Sequence, residues 1–523
     1  MRHDLCALAD LSDTGLEEVE AGGLKILLAR DGDRVLATGA TCTHKGAPLK
    51  KGQRFGNSVV CPWHHAVFDL ETGAHRQPPG YGCLNRFETS VENGRVFVEI
   101  ADGAKMHRPE VEGSDRRTGG TRTFAIVGAG AAGLACAMEL VKRGFDGRIV
   151  LISAEDEPPY DRTDLSKSYL QGKTGDEKLP LVDHDTLETL GIERLTGTVE
   201  RVDASAKRVL FSKGGPAGGL AFDRCFVAPG SAAAPLDGVD LGLSNVLTLR
   251  THADAKALKA AAAKAERVVL VGSGFIGMEA AAALVQSGKS VTVVARETLP
   301  FAKQFGEAVA GEIVGRHRRK GVTVLTRAEF AGLDEENGRA VAVRLKDGAV
   351  LPADLVLVAV GARPNASVLS GDEEDRSVSV DAHLMTEDGL HAGGDIAEVP
   401  LPGRPEPLRI EHWRVGEQHG RHAAGAMMGD ETPFAGVPFF WSAQYSPIRY
   451  VGHAKGFDAV QIEGDLEAGD YTAFYVKDGK VVAGLGCGKG DRTAALHVLM
   501  MDGTLPDAGR LAAAGWDPKT LIA

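Results

Sequence analysis

Two short spacings could do chemistry: Cys42-Thr-His44 and, after sixteen intervening residues, Cys61-Pro-Trp-His64. Two thiolates and two imidazoles, one of each per loop, are the ligand set of a [2Fe–2S] cluster in which both cysteines hold one iron and both histidines the other. Exchanging two thiolates for imidazoles raises the potential above that of an all-cysteine cluster. The same four side chains could satisfy a tetrahedral structural zinc, but Cys-x-His beside the turn Gly46-Ala47-Pro48 favours the cluster. His65 follows His64 directly. A register in which His65 ligates therefore stays open, although Cys-x-x-His favours His64.

Two glycine motifs supply a second kind of chemistry. Gly128-Ala-Gly130-Ala-Ala-Gly133 follows an apolar run that reads as a buried strand and opens an apolar stretch that reads as a helix. In that context the glycines permit a tight turn and close backbone approach, and the helix N-terminus meets a pyrophosphate. Glu155, after the next strand, stands where a ribose hydroxyl is bound. Gly272-Ser-Gly274-Phe-Ile-Gly277 repeats the device about 145 residues on. Its second strand ends Val294-Ala295-Arg296-Glu297 instead of in a lone acid. Arg296 could bind a 2′-phosphate, which leans the site towards NADPH, while Glu297 could take the ribose of NADH instead.

These residues need distinct scaffolds. At 523 residues the chain is too long for one core. Residues 1–103 read as short strands between Asp-Gly and Asn-Gly turns, an all-β domain. Residues 104–122 are polar, rich in Gly, Arg and Pro, and read as a linker. From Thr123 strands alternate with helices, giving two Rossmann-like α/β units; residues 433–523 return to strand-like pieces with a helical tail, an α+β domain. The formal charge of −12 argues against nucleic acid or an anionic membrane as partner. The N-terminus lacks the basic start and apolar run of a signal peptide, and the apolar stretch Phe124–Val141 contains GAGAAG and Glu139, as a buried strand–turn–helix would. The expected location is cytoplasmic. Seven cysteines scattered over the chain do not form a disulfide framework.

Further strings give the chain a family resemblance. Thr386-Glu-Asp-Gly389-Leu-His-Ala392-Gly393-Gly394-Asp395 resembles the second FAD fingerprint, and Ala228-Pro229-Gly230 and Val360-Gly361-Ala-Arg-Pro-Asn365 resemble the segments that flank a nicotinamide-domain insert. They assign the first glycine motif to FAD and the second to NAD(P)H. With Pro159-Tyr160-Asp161-Arg162, Leu165-Ser166-Lys167, Glu279, Glu411-His412-Trp413 and Phe440-Trp441-Ser442-Ala-Gln444-Tyr445, residues 123 to about 500 resemble the glutathione-reductase-like flavoproteins of the ferredoxin reductase and apoptosis-inducing-factor group. With Cys42 to His64 in front, the whole chain resembles their Rieske-fused members. His65 stands where Rieske domains usually have glycine, and the extra cysteine pair of high-potential members is replaced by Ala47 and Trp63, which suggests the ferredoxin-type class.

The resemblance implies a Rieske domain at 1–103, an FAD-binding domain at 123–249 and 371–432, and an NAD(P)H-binding domain at 250–370. It implies a Lys167–Glu279 pair beside flavin N5, Arg162 near the FAD phosphates, Asp395, Glu411 and His412 in the flavin site, Trp413 near the pyrimidine end of the ring, and Trp441 contributed by the C-terminal domain. It implies an NAD(P)H oxidoreductase whose flavin takes a hydride and releases electrons singly to the chain's own cluster, and on to a ferredoxin, an oxygenase component or another one-electron acceptor. The rival reading is a slow redox-sensing or signalling flavoprotein of the apoptosis-inducing-factor type. Cys136 stands alone on the first helix, so the flavin and not a thiol pair is the expected site of action. A mononuclear iron site over His412, His419 and His422 is a further, weaker alternative. The final acceptor and the oligomeric state, a homodimer included, stay open.

Overall fold

The computed structural model describes residues 1–111, 119–372, 374, 376–488 and 490–522. The first part is all-β. Glu17–Ala21, Leu24–Asp31 and Arg34–Gly39 form a three-stranded antiparallel sheet, and Arg2–Ala7, Arg95–Glu99 and Glu88–Glu92 form another. A four-stranded sheet runs from Gln53–Phe55 to His75–Gln77. Cys42 and Cys61 lie in its apolar core with Leu27, Val59, Phe68 and Leu84.

The segment expected to be a linker begins as part of this unit. His107–Arg108 pairs antiparallel with Cys83–Leu84, and the His107 ring meets Thr41 just ahead of the first cysteine. Polar, aperiodic residues hid a two-residue strand whose hydrogen bonds come from far along the chain. Residues 112–118 of that segment lie outside the described residues.

From Thr123 the chain builds an eight-stranded sheet. At its centre Ile192–Asp203, Arg148–Ser153, Thr123–Val127, Arg224–Val227 and Leu390–Ala392 run parallel. Strands covered on both faces need near-continuous apolar runs, and TFAIV and RIVLIS supply them. Helix α1 (Ala131–Lys142) packs over this sheet. A second, five-stranded parallel sheet, ordered Val246–Leu247, Leu355–Val358, Arg267–Val271, Ser290–Val294, Val322–Leu325, is inserted between Val227 and Leu390. Val246–Leu247 already belongs to it, so this sheet starts ahead of the expected boundary at 250. It carries α2 (Phe275–Gln286) and α3 (Ala302–Arg319), the latter broken at Gly306, whose φ is 77°.

Helix α4 (Trp413–Met427) returns to lie against α1, where a Cβ on Gly420 would stand 2.0 Å from the Ala132 carbonyl oxygen. Only a glycine lets the two backbones approach this closely. The last part is a five-stranded antiparallel sheet from Phe439–Gln444 to Ala459–Asp465, backed by Thr493–Met500 and Ala508–Ala513. Among the described residues no helix is long and apolar enough to cross a membrane.

Candidate redox site

The loops that follow Arg34–Gly39 and Ser58–Val60 bring the four proposed ligands together. The Cys42 and Cys61 thiols hydrogen-bond each other, and the Nδ1 atoms of His44 and His64 face each other at 3.1 Å. Backbone amides of His44 and Lys45 point at Cys42, and those of Trp63 and His64 at Cys61. The hydrogen bond to Cys61 and then burial push the Cys42 thiol up. Burial also pushes Cys61 up, but its bonds from Cys42 and the two amides outweigh burial and bring it below its ordinary value. Burial holds His44 down to about 4 and His64 well below the usual imidazole range, so both rings are neutral donors to a metal.

Among the described residues no group of three or more His, Cys, Asp or Glu stands where one metal ion could hold it. The four side chains come instead as a thiol pair and an imidazole pair. Two irons need that arrangement, whereas a tetrahedral zinc needs all four ligands about one point. His65, left-handed at φ 59°, turns the other way: its Nδ1 meets Nδ1 of His497 at 2.9 Å inside the C-terminal part. The position favours glycine, and histidine is held there by this contact and by Thr493, 3.3 Å from its Nε2.

The histidine end of this loop pair is covered by the rest of the chain. The Trp441 ring lies 4.5 Å from His64 and 5.6 Å from His44. Lys45 reaches Asp161 at 2.8 Å and Asp164 at 2.9 Å, on the segment that carries Arg162 and Lys167. Trp441 thus bridges towards the imidazoles from the strand Phe439–Gln444, a contact that the motif alone did not indicate.

The first glycine turn has the shape a dinucleotide needs. A Cβ on Gly133 would lie 1.7 Å from the Gly128 carbonyl oxygen, and Gly130 opens α1 towards empty space with no side-chain cap. Uncapped N–H groups at an unobstructed helix start fit a pyrophosphate. Glu155 and Arg162 form an ion pair, and Tyr160 donates to Glu155 at 2.7 Å. Asp395 accepts from Ser231 and from Arg250, each at 2.7 Å. Glu411 pairs with Arg409, while the half-buried His412 packs on Phe440 with ring centres 4.6 Å apart and precedes α4, whose first residue is Trp413, without a side-chain capping bond.

Lys167 and Glu279 meet at 3.0 Å. Glu279 also accepts from Ser166 at 2.5 Å and from Ser442 at 2.6 Å. Sequence reasoning had no role for either serine; only their adjacency to Lys167 and Trp441 signals them. Cys136 is buried against Met427, sulfur to sulfur 4.0 Å, away from this pair. Of the three histidines weighed as an iron site, His419 and His422 both pack edge-on to Phe434, with His419 also accepting at Nδ1 from the Gly394 amide, whereas His412 packs on Phe440.

The second glycine turn lines a cavity of about 530 Å³ together with Arg250, Arg296, Glu297, Gly361 and Glu411. A Cβ on Gly277 would come within 2.5 Å of the Gly272 carbonyl oxygen, and Gly274 opens α2 uncapped. Here Glu297, not Arg296, is anchored: Ser273 of the turn donates to it at 3.0 Å. Arg296 is 85% exposed and leans on Glu297 at 3.4 Å.

Comparison with known proteins agrees with this division. Residues 1–88 match the Rieske [2Fe-2S] domain, 122–420 the pyridine nucleotide-disulphide oxidoreductase family, and 439–522 the reductase C-terminal domain. Human apoptosis-inducing factor 3 is 36% identical over 494 residues, covering 92% of this chain and 80% of that protein. A Sphingomonas ferredoxin–NAD(P)(+) reductase is 33% identical over 365 residues, covering 68% of this chain and 87% of its own length. The crystal structure of the covalent putidaredoxin reductase–putidaredoxin complex superposes with a TM-score of 0.70 at 27% identity, over 75% of this chain and 96% of that one. The chain belongs to the Rieske-fused, apoptosis-inducing-factor-like ferredoxin reductases, oxidoreductases that use FAD, NAD(P)H and a [2Fe–2S] cluster.

Proposed function

We propose that this chain carries electrons from NAD(P)H through FAD to its own Rieske cluster and on to a one-electron acceptor. The observation that carries the reading is the packing of the half-buried His44 and His64 against Trp441 while Lys45 is clamped to Asp161 and Asp164. The proposed ligand loop is thereby held on the segment that leads to Lys167. FAD, when bound, supplies the conversion of a hydride into two single electrons, and the cluster carries one at a time.

The chain's residues take the following parts. The turns at Gly128–Gly133 and Gly272–Gly277 present helix N-termini to the two pyrophosphates. Asp395 and the Arg162–Glu155 pair line the FAD path, with Trp413 closing the helix start beside it. Glu279 holds the Lys167 ammonium in place, where its charge favours an anionic, reduced ring. Cys42 and Cys61 would hold one iron of the cluster and His44 and His64 the other, and the cluster would supply one-electron transfer. Trp441 excludes water between imidazoles and flavin site. In the second cavity we read Glu297 as the ribose contact, which makes NADH the preferred donor over NADPH.

Anaerobic titration of holoprotein with NADH, followed in the visible and by electron paramagnetic resonance, tests the path. Bleaching of the flavin followed by the reduced-cluster signal, within one turnover, is the expected result. A flavin that is fully reduced while the cluster stays oxidised overturns it, and a reduced state that persists in air with acceptor present favours the sensor reading.

A further inference from the structure

Glu279 is the end of a longer chain of buried polar groups. Ser442 donates to its Oε1 at 2.6 Å, Gln444 Nε2 lies 3.0 Å from Ser442 Oγ, and His317 Nε2 lies 3.0 Å from Gln444 Oε1. All four are buried: Glu279 5%, Ser442 1%, Gln444 1% and His317 0% exposed. The chain joins α2, the strand Phe439–Gln444 and α3, and its far end, His317 Nδ1, has no hydrogen-bond partner among the described residues. Tyr445, at φ 71°, sets its ring edge-on to the imidazole at 5.0 Å.

Such a chain has two self-consistent directions. In the forward one His317 donates from Nε2 to the Gln444 carbonyl, Gln444 donates to Ser442, and Ser442 donates to a Glu279 carboxylate. In the reverse one the amide is flipped, Gln444 donates to Nε2, Ser442 donates to Gln444, and Glu279 must be a carboxylic acid donating to Ser442. The directions differ at His317 Nδ1. Forward, it is an unpaired lone pair; reverse, it is a buried N–H with no acceptor. An orphaned buried donor is rarer and costlier than an under-used acceptor. Burial also keeps His317 neutral, at about 4, as the forward direction requires.

We propose that His317, acting through Gln444 and Ser442, is a positioning residue that fixes the direction of this chain and keeps Glu279 an acceptor-only carboxylate for Lys167. The inference rests on the proposed place of Lys167 and Glu279 beside the flavin. Ser166 and Lys167 occupy the other carboxylate oxygen, at 2.5 and 3.0 Å, so both oxygens of Glu279 face donors, while Lys167 also donates to the Thr163 carbonyl at 2.6 Å.

The test uses holoprotein carrying His317→Phe, Gln444→Met, Ser442→Ala or Ser442→Thr, with Glu279→Gln as the control on the site itself. Two readouts are the flavin midpoint potential and the reduced-minus-oxidised infrared difference spectrum. His317→Phe and Gln444→Met should each lower the two-electron potential by about 30 mV, a tenfold loss in preference for the reduced flavin. They should also introduce a protonated-carboxyl band that vanishes when Glu279→Gln is added. Ser442→Ala should lower the potential likewise, and Ser442→Thr, which keeps the hydroxyl, should restore it. If Glu279→Gln shifts the potential and His317→Phe and Gln444→Met do not, the positioning role is overturned. If Glu279→Gln itself shifts nothing, the placement beside the flavin fails instead. Should His317→Phe not fold, Gln444→Met and the serine pair decide alone.

Discussion

At the scale of single residues, the coenzyme choice shows how geometry re-weights a motif. The run Val294-Ala295-Arg296-Glu297 presents a cation and an anion in sequence, and spacing alone leaned towards the cation and NADPH. In the fold both line the cavity, but Ser273 anchors Glu297, while the more exposed Arg296 has only Glu297 against it, which opposes its charge. An exposed, neutralised guanidinium gives little to a 2′-phosphate, whereas a fixed carboxylate accepts from a 2′-hydroxyl and repels a phosphate. Glu297→Ala should therefore weaken NADH binding and raise the NADPH to NADH ratio of kcat/KM by about tenfold, near 1.4 kcal/mol of discrimination. Steady-state kinetics with both coenzymes checks it; an unchanged ratio removes Glu297 from the ribose contact. The same contrast holds at the cluster loop. That Cys42, His44, Cys61 and His64 come together was legible from spacing. That His65 turns towards His497, 432 residues on, was not, because no local pattern encodes so distant a partner.

At the scale of elements, α4 departs most from what its sequence suggests. Trp413–Met427 holds Arg414, Glu417, Gln418 and His419, residues that ordinarily face water, yet all four are buried. Val415, Ala423, Ala424 and Met427 mark an apolar face that periodicity can read, but no local pattern signals that the four polar residues are buried as well. Glu417 is the extreme case. It lies near Tyr81, the Gly80 amide, Asp161, Arg414 and Arg421, with one carboxylate oxygen unpartnered among the described residues. Burial, reinforced by Asp161, raises its carboxyl to about 8 against the lowering influence of Arg421, Gly80 and Arg414. A carboxyl raised in the fold binds its proton more tightly there than in the unfolded chain. Its stabilising effect is thus full below its ordinary value of 4.5 and is lost as pH climbs to about 8. Denaturant midpoints should fall from pH 5.5 to 7.5, by up to about 1.4 kcal/mol per pH unit, and Glu417→Gln should flatten the slope. A native slope equal to that of the variant would exclude Glu417 as its source.

At the scale of the whole molecule, the order of the parts was readable and their docking was not. Turn dipeptides, glycine motifs and the return of the FAD fingerprint after the insert are local signals. The seam between the N-terminal β domain and the flavoprotein is built from backbone carbonyls and scattered charges that carry none. Arg414 is fully buried and donates to Pro78, His65 and Gln77 on one side and Val437 on the other. Burial draws it down to about 9, so it stays charged at neutral pH. Arg421 and Glu110 pair at 3.0 Å beside His75, and Arg449 donates to the Trp63 carbonyl at 3.0 Å. The putidaredoxin reductase structure is a complex with putidaredoxin; on the proposed path a fused, clamped domain would be spared most of the association entropy, and its effective concentration at the flavin site would be set by the seam. Arg414→Met removes the charge and leaves buried carbonyls unpaired, at about 1–3 kcal/mol each. Since this far exceeds what a surface contact contributes, the domain should loosen. Stopped-flow mixing with NADH should then show flavin bleaching at the native rate and cluster reduction slowed about tenfold or more, for every 1.4 kcal/mol lost from the docked state. Equal slowing of both phases would mean that Arg414 supports the flavin site itself, and no slowing would mean that the remaining contacts hold the seam without it.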